Sequence, residues 1–190
     1  MKVKTNTFVI SDNHFRHWNI NKYCNRGFSD LSDMESYMIW KWNQTIPPYG
    51  KVIILGDLAM TQGKCEEVKN VFTKLNGKKL LVIGNHDRKS HFWYTENGID
   101  FICDSFTWYW NKKRILFIHN PGKVKAEDVK YYDYILHGHK HNTTPLMYRE
   151  GDTLFINVSV ENINYTPFNL LALLQKLQSS KWLKENHGIR

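Results

Sequence analysis

Five short apolar runs in this chain each end in residues able to ligate a metal. Thr7-Phe8-Val9-Ile10 leads to Asp12 and His14, Val52-Ile53-Ile54-Leu55 to Gly56-Asp57, and Leu80-Leu81-Val82-Ile83 to Gly84-Asn85-His86-Asp87. Arg114 to Ile118 ends at His119, and Tyr134-Ile135-Leu136 drives into His137-Gly138-His139-Lys140-His141. Short runs of aliphatic residues without polar alternation read as buried strands. In extended backbone, residues two apart face one side, which would aim His139 and His141 together. Neutral imidazole is the commonest metal ligand. Singly, each residue has a plain structural reading: a helix cap for Asp12, a turn for Gly56-Asp57, a hydrogen-bonded core histidine for His119. Their recurrence after five buried runs points to one site.

The segments between the first three runs have helical spacing. Ser32 and Glu35 form a capping box for a helix through about Thr45, with Met34, Tyr37, Met38 and Trp42 along one side and Pro47-Pro48 after it. Cys65, Val68, Val71, Phe72 and Leu75 give a second helix, with Gly77 as its stop signal. Strand–helix–strand–helix–strand implies parallel pairing. The second half reads differently. Phe101–Trp110 and Arg114–Ile118 are strands about an Asn111-Lys112 turn, Leu146–Arg149 and Thr153–Val158 a hairpin, and Thr166 with Pro167 the start of a last helix. The expected architecture is α/β, a two-sheet mixed sandwich flanked by helices. Residues 1–190 read as one domain, since no linker, repeat or low-complexity segment divides them. In open α/β sheets, ligands bind at the carboxyl ends of the strands, so the scattered ligand-type residues are expected at one rim.

No apolar run is long enough to span a bilayer. Met1–Thr7 lacks a signal-peptide core, and Cys24, Cys65 and Cys103 form no close pair, so a cytoplasmic protein without disulfides is expected. The formal charge of +8 favours anionic partners such as phosphates, nucleotides or nucleic acid, though no continuous basic block marks a nucleic-acid module.

The order Asp12-Asn13-His14, Gly56-Asp57, Gly84-Asn85-His86-Asp87, His119 and Gly138-His139-Lys140-His141 resembles the calcineurin-like metallophosphoesterases, over residues 12 to 141. A small prokaryotic and phage branch of that family is resembled more closely. The similarity lies in Asn19-Ile20, Lys22-Tyr23, Arg26, Phe28, Trp42-Asn43, Asn157-Val158-Ser159-Val160-Glu161 and Tyr165-Thr166-Pro167. That branch brings no established substrate. In serine/threonine protein phosphatases of the family, Gly-Asp continues to a second acid and a phosphate-gripping arginine. Here Leu58-Ala59-Met60 follows, which disfavours protein phosphatase activity.

The resemblance implies two divalent metals, with Asp12, His14 and His141 on one, Asn85, His119 and His139 on the other, and Asp57 between them. Such pairs sit about 3.5–4 Å apart, clamp a phosphate and acidify water. Mixed nitrogen and oxygen ligands suit Mn, Fe, Zn or Ni. His86 is implied as general acid toward the leaving group. Asp87 is expected either to orient His86 or to sit as a carboxylate at a helix N-terminus. Arg16, His17, Arg88 and Lys89 follow motif residues and could contact substrate or be solvated loop. Phe15, Trp18, Tyr23, Phe92, Trp93 and Tyr94 could stack on a base or simply pack. The expected substrate is a small phosphate mono- or diester, a nucleotide or cyclic nucleotide among the options. A nuclease and a non-catalytic metal-binding scaffold are the alternatives.

Overall fold

The structure is a computed structural model that describes residues 6–62 and 64–179; Met1–Thr5, part of the segment read for a signal peptide, lies outside them. Two five-stranded sheets form its two layers. The first has the order β10-β1-β2-β3-β4, from β1 (Thr7–Ile10), β2 (Lys51–Ile54), β3 (Lys78–Val82), β4 (Phe101–Cys103) and β10 (Phe168–Asn169). The second has the order β5-β6-β7-β9-β8, from β5 (Ser105–Trp110), β6 (Lys113–Ile118), β7 (Tyr134–His137), β8 (Met147–Glu150) and β9 (Thr153–Asn157). Strands β1 to β4 pair in parallel, as do β6, β7 and β9, while β10, β5 and β8 are antiparallel edges.

Alternation along the strands sorts the core. Phe8, Ile10, Val52, Ile54 and Leu81 face outward, against Met34, Met38 and Trp42 of α2 (Leu31–Thr45), Val68 and Phe72 of α3 (Cys65–Phe72) and Tyr94 of α4 (His91–Glu96). Val9, Ile53, Leu55 and Val82 face inward onto Ile115, Phe117, Leu136 and Ile156, with α6 (Leu170–Gln178) closing that layer through Leu170, Leu173, Leu174 and Leu177. Each buried side chain of this size contributes about 1.5–3 kcal/mol, so the two layers hold the strand ends firmly. No helix among the described residues is long and apolar enough to cross a membrane.

Three local expectations give way to tertiary context. The α2 cap is Asp30, whose carboxylate accepts the Asp33 N–H at 2.8 Å while Asp33 reaches back to Ser29 N–H at 3.2 Å; Ser32 is already helical. Glu35, freed from capping, turns inward. The run Phe101–Trp110 is two strands, broken at Asp104, one in each sheet. Phe168-Asn169 does not open the last helix but pairs with Val9 and Phe8 at an open sheet edge, and Asn169 then caps α6 by accepting the Ala172 N–H at 3.0 Å. Two short helices, α1 (Asn19–Tyr23) and α5 (Ala126–Val129), form in segments where the sequence pattern marks no helix.

Candidate metal centre

The loops after β1, β2, β3, β6 and β7 meet at the carboxyl ends of the parallel strands. Where they meet, the two sheets are stitched: Ser11 N–H donates to Val158 O at 3.0 Å and Val160 N–H to Ser11 O at 3.1 Å. The backbone turns sharply there. Asp12, His14, Asp57, His139 and His141 all have positive φ, between 46° and 69°. Left-handed backbone costs a non-glycine residue about 1–2 kcal/mol, and such residues cluster at functional sites.

Two groups of side chains result, each with ligand atoms within 4.8 Å of one another: Asp12, His14 and His141, and Asp57, His119 and His139. A third such set, Cys24, His141 and Glu161, lies behind the first and shares its His141. The His14 and His141 rings stack with centroids 5.1 Å apart, and His119 and His139 meet edge-on at 5.1 Å. Asp57 lies between the groups. Its Oδ2 is 3.5 Å from His14 Nε2 and 3.4 Å from His119 Nε2. Asn85 Oδ1 is 3.1 Å from His119 Nε2, which brings the asparagine to the second group. His139 and His141 are therefore not extended neighbours aimed at one point; their left-handed backbone sends one to each group.

Three of the four imidazoles have a partner on their other nitrogen. His119 Nδ1 faces the Leu55 carbonyl at 2.8 Å, so Nδ1 carries the proton and Nε2 faces the site. His141 Nδ1 faces Glu161 Oε1 at 3.0 Å, and His14 Nδ1 lies 3.1 Å from His17 Nδ1. The Asp12 carboxylate accepts the His139 N–H at 2.9 Å and the Ser159 hydroxyl at 2.9 Å.

Without metal, the protons balance the charges. Burial pushes the Asp12 carboxyl up, against the pull of the His119 and His141 charges. Burial also opposes ionisation of Asp57, but the His119 hydrogen bond and the charges of His119 and His14 outweigh it and hold that carboxyl below the ordinary range. Burial disfavours the His119 cation, yet Asp57 and Asp12 raise its pKa to about 9. His141, disfavoured likewise, is raised to about 10 by Cys24, Glu161 and Asp12. Divalent metal would displace these protons, since ligands bind metal deprotonated. The residues fit such ions. His14 Nε2 is buried with no hydrogen-bond partner, and it points between two carboxylates that are themselves almost fully buried.

A cleft of about 520 Å³ opens onto the two groups, lined among others by His14, His17, Tyr23, Asp57, His86 and Lys140. His86 stands with its ring 5.1 Å from that of His14 and 5.6 Å from that of His17; its backbone N–H donates to Asp57 Oδ1 at 2.8 Å. Burial, with the His86 and Arg26 charges, lowers the His17 pKa to about 4.

Several expectations are corrected here. Asp87 does not orient His86, whose Nδ1 is buried without a partner, nor does it cap a helix: α4 begins at His91 with Ser90 as its cap. Instead the Asp87 carboxylate accepts the backbone N–H groups of Asp57 at 2.7 Å, Leu58 at 3.1 Å and Gly84 at 2.9 Å. Arg16 does not line the cleft; Glu35 takes its guanidinium at 3.0 Å and its backbone N–H at 2.6 Å. Arg88 donates to Asn85 O at 3.2 Å, and neither it nor Lys89 lines the cleft. Phe15 and Tyr94 are buried core, and Trp93 packs edge-on to Phe72 and Tyr94. Tyr23 alone of the six aromatics reaches the cleft, where it is 72% exposed. His137 packs edge-on against Tyr148 and Phe155, which stack on one another.

Sequence reasoning missed three residues of weight. Lys140, inside the histidine motif, supplies a cleft cation. Arg26 and Glu161, noted only for their likeness to a branch pattern, form a buried ion pair at 2.7 Å beside His141. Nothing local signals a pair separated by 135 residues.

A sandwich of two mixed sheets that gathers buried aspartate and histidine at the ends of its parallel strands is the architecture of a metallophosphoesterase. Residues 6–160 match the calcineurin-like phosphoesterase superfamily domain, and the chain belongs to that family. It is 32% identical over 176 residues to an uncharacterised protein of Methanocaldococcus jannaschii, with 92% of each chain covered. A crystal structure of a protein of unknown function from Aquifex aeolicus superposes with a TM-score of 0.68 at 25% identity, covering 90% of this chain and 98% of that one.

Proposed function

We propose that the protein is a phosphoesterase that hydrolyses a small phosphate mono- or diester, a nucleotide or cyclic nucleotide among the suitable substrates, with two divalent cations. The observation that carries this reading is the placement of Asp57 Oδ2, within 3.5 Å of His14 Nε2 and 3.4 Å of His119 Nε2. A carboxylate oxygen that faces both imidazole-bearing groups suits a pair of ions, because its negative charge would offset both cations.

Asp12, His14 and His141 would hold one ion, Asn85, His119 and His139 the other, and Asp57 both. Mn, Fe, Zn or Ni suits these donors and, when bound, supplies Lewis acidity toward phosphate and acidifies water. His86 serves as general acid: its ring lines the cleft beside that of His14, within reach of a leaving oxygen bound there. Lys140 and His17 line the wall that an anionic substrate passes, and Tyr23 offers a face for a base. Asp87 acts at one remove, fixing the loop that carries Asp57. The cleft volume is that of a small-molecule site. Cys24, Cys65 and Cys103 are free thiols, consistent with work in a reducing cytoplasm.

The test is hydrolysis of bis-p-nitrophenyl phosphate and p-nitrophenyl phosphate with Mn²⁺, with and without chelator. A panel of nucleotides, cyclic nucleotides and single-stranded DNA follows, with products read by chromatography. Chelator-sensitive release of phosphate or alcohol supports the reading. Inertness of a metal-loaded preparation toward every ester defeats it and leaves the scaffold alternative.

A further inference from the structure

The two groups differ in what stands behind them. His141 of the first group is backed by a carboxylate, Glu161 Oε1, at 3.0 Å. His119 of the second is backed by a neutral carbonyl, Leu55 O, at 2.8 Å. Glu161 is in turn gripped by Arg26, through Nε at 2.9 Å and Nη2 at 2.7 Å. The same guanidinium donates from Nη2 to Asp12 O at 2.7 Å and from Nη1 to Asn13 O at 3.0 Å. Its side chain is completely buried.

One planar fork therefore touches Asp12 directly and His14 and His141 through their neighbours Asn13 and Glu161. It holds the carbonyls of the two peptides on either side of Asn13, just ahead of His14, and it holds the carboxylate that faces His141 Nδ1. Asp12 and His14 need this restraint, because both sit in left-handed backbone that an isolated loop would leave. A carboxylate partner on Nδ1–H fixes the tautomer, leaves the Nε2 lone pair toward Asp12, and makes that nitrogen a stronger donor than a carbonyl partner does.

We propose that Arg26 and Glu161 are positioning residues that make Asp12, His14 and His141 the tighter of two unequal metal positions. The proposal rests on the reading of both groups as metal positions. Its consequence is ordered loading: the first equivalent of divalent metal enters the Arg26–Glu161-backed position, and the second enters beside Asn85, His119 and His139.

The experiment titrates the metal-free, full-length protein with Mn²⁺ by calorimetry and with Co²⁺ by its visible absorption. Wild type is expected to bind in two resolved steps. Asn85→Ala should weaken only the later one. Glu161→Gln keeps the shape and an acceptor oxygen, and it should weaken the earlier step 10- to 100-fold, the usual effect of losing such a partner, while leaving the later step in place. The absorption of the first Co²⁺ equivalent should change with it. Arg26→Lys keeps the charge but loses the two-pronged reach; it should weaken the same step, and it carries the test if Glu161→Gln fails to fold by circular dichroism. Two metals bound equally by wild type, or an unchanged earlier step in the folded variants, overturns the inference while the metal reading stands. Failure of wild type to bind either cation overturns both.

Discussion

Asp87 Oδ2 accepts the backbone N–H of Asp57 at 2.7 Å, from a position 30 residues along the chain. Oδ1 takes Leu58 N–H and Oδ2 also takes Gly84 N–H, so one buried carboxylate clamps the loop after β2 to the loop after β3. Burial and the nearby Asp57 charge push its pKa up to about 6, which still leaves it ionised at neutral pH. Asp87→Ala strands three buried donors. At about 1–3 kcal/mol for an unsatisfied group, the expected loss is about 3 kcal/mol or more, seen as a lower urea midpoint. Bound metal, measured by elemental analysis, should fall with it. Asp87→Asn, which retains acceptor oxygen, should fall less on both counts.

Gly84 and Gly138 leave room for ligands and nothing else. A Cβ at Gly84 would strike the Asp57 carboxylate, and one at Gly138 would strike Ser11 Oγ and the Asp12 carboxylate. Gly84→Ala and Gly138→Ala should each cost about 1–3 kcal/mol by overpacking. They should also reduce metal stoichiometry. Gly151→Ala is the control for metal content: its Cβ meets no atom within 4 Å, and its φ of 58° brings about 1–2 kcal/mol of backbone strain in a hairpin that carries none of the metal-type ligands, so stability should fall while bound metal stays at the wild-type level.

His86 touches the Asp57 carboxylate only through its backbone, so its ring can be removed without disturbing that contact. His86→Ala should retain its metal. Turnover of esters with poor leaving groups should drop by about 10²-fold or more, the usual worth of a positioned acid. Activated p-nitrophenyl esters, which need little protonation, should be less affected. Equal turnover of both ester types in variant and wild type would remove His86 from the reaction.

Metal should stabilise the fold, because the unfolded chain lacks the site. At a free Mn²⁺ concentration about 100 times Kd, linkage gives about 2.7 kcal/mol. For a chain of this length that is a rise in Tm of roughly 5–10 °C, measured by scanning calorimetry before and after chelation. Asp57→Asn should abolish most of the rise.

Away from the site, Asp133 gives a clean test of acid stability. Burial opposes its ionisation, but Lys113 Nζ at 2.7 Å and Arg114 N–H at 2.8 Å outweigh it and hold its pKa below the ordinary 3.8. Its folded pKa is depressed, so its contribution is complete above pH 3.8 and is lost as pH falls through the folded value. Asp133→Asn should therefore be less stable than wild type at pH 6, and the gap should close as pH drops below about 4. Paired urea melts at several pH values measure this.

The sequence by itself determined the rim of the sandwich. Aliphatic runs such as Val52–Leu55 and Leu80–Ile83, four residues long and bounded by turn residues, read as buried strands, and strands in parallel present their carboxyl ends together. Asp12, His14, Asp57, Asn85, His119, His139 and His141 were legible as one cluster because each stands next to such a run. Tertiary structure decided what those residues touch. Glu35 could cap a helix by its spacing, yet it neutralises Arg16, because burying that arginine demands a partner. Phe101–Trp110 has one uninterrupted strand pattern, yet it serves two sheets, because local pattern does not say which neighbour a strand will pair with. Arg26 and Glu161 have no local relation, and only the folded chain brings a fully buried guanidinium to a carboxylate that balances it. Residue type and strand position follow from local physics, whereas charge pairing and backbone clamping are settled by groups that meet only after distant segments pack.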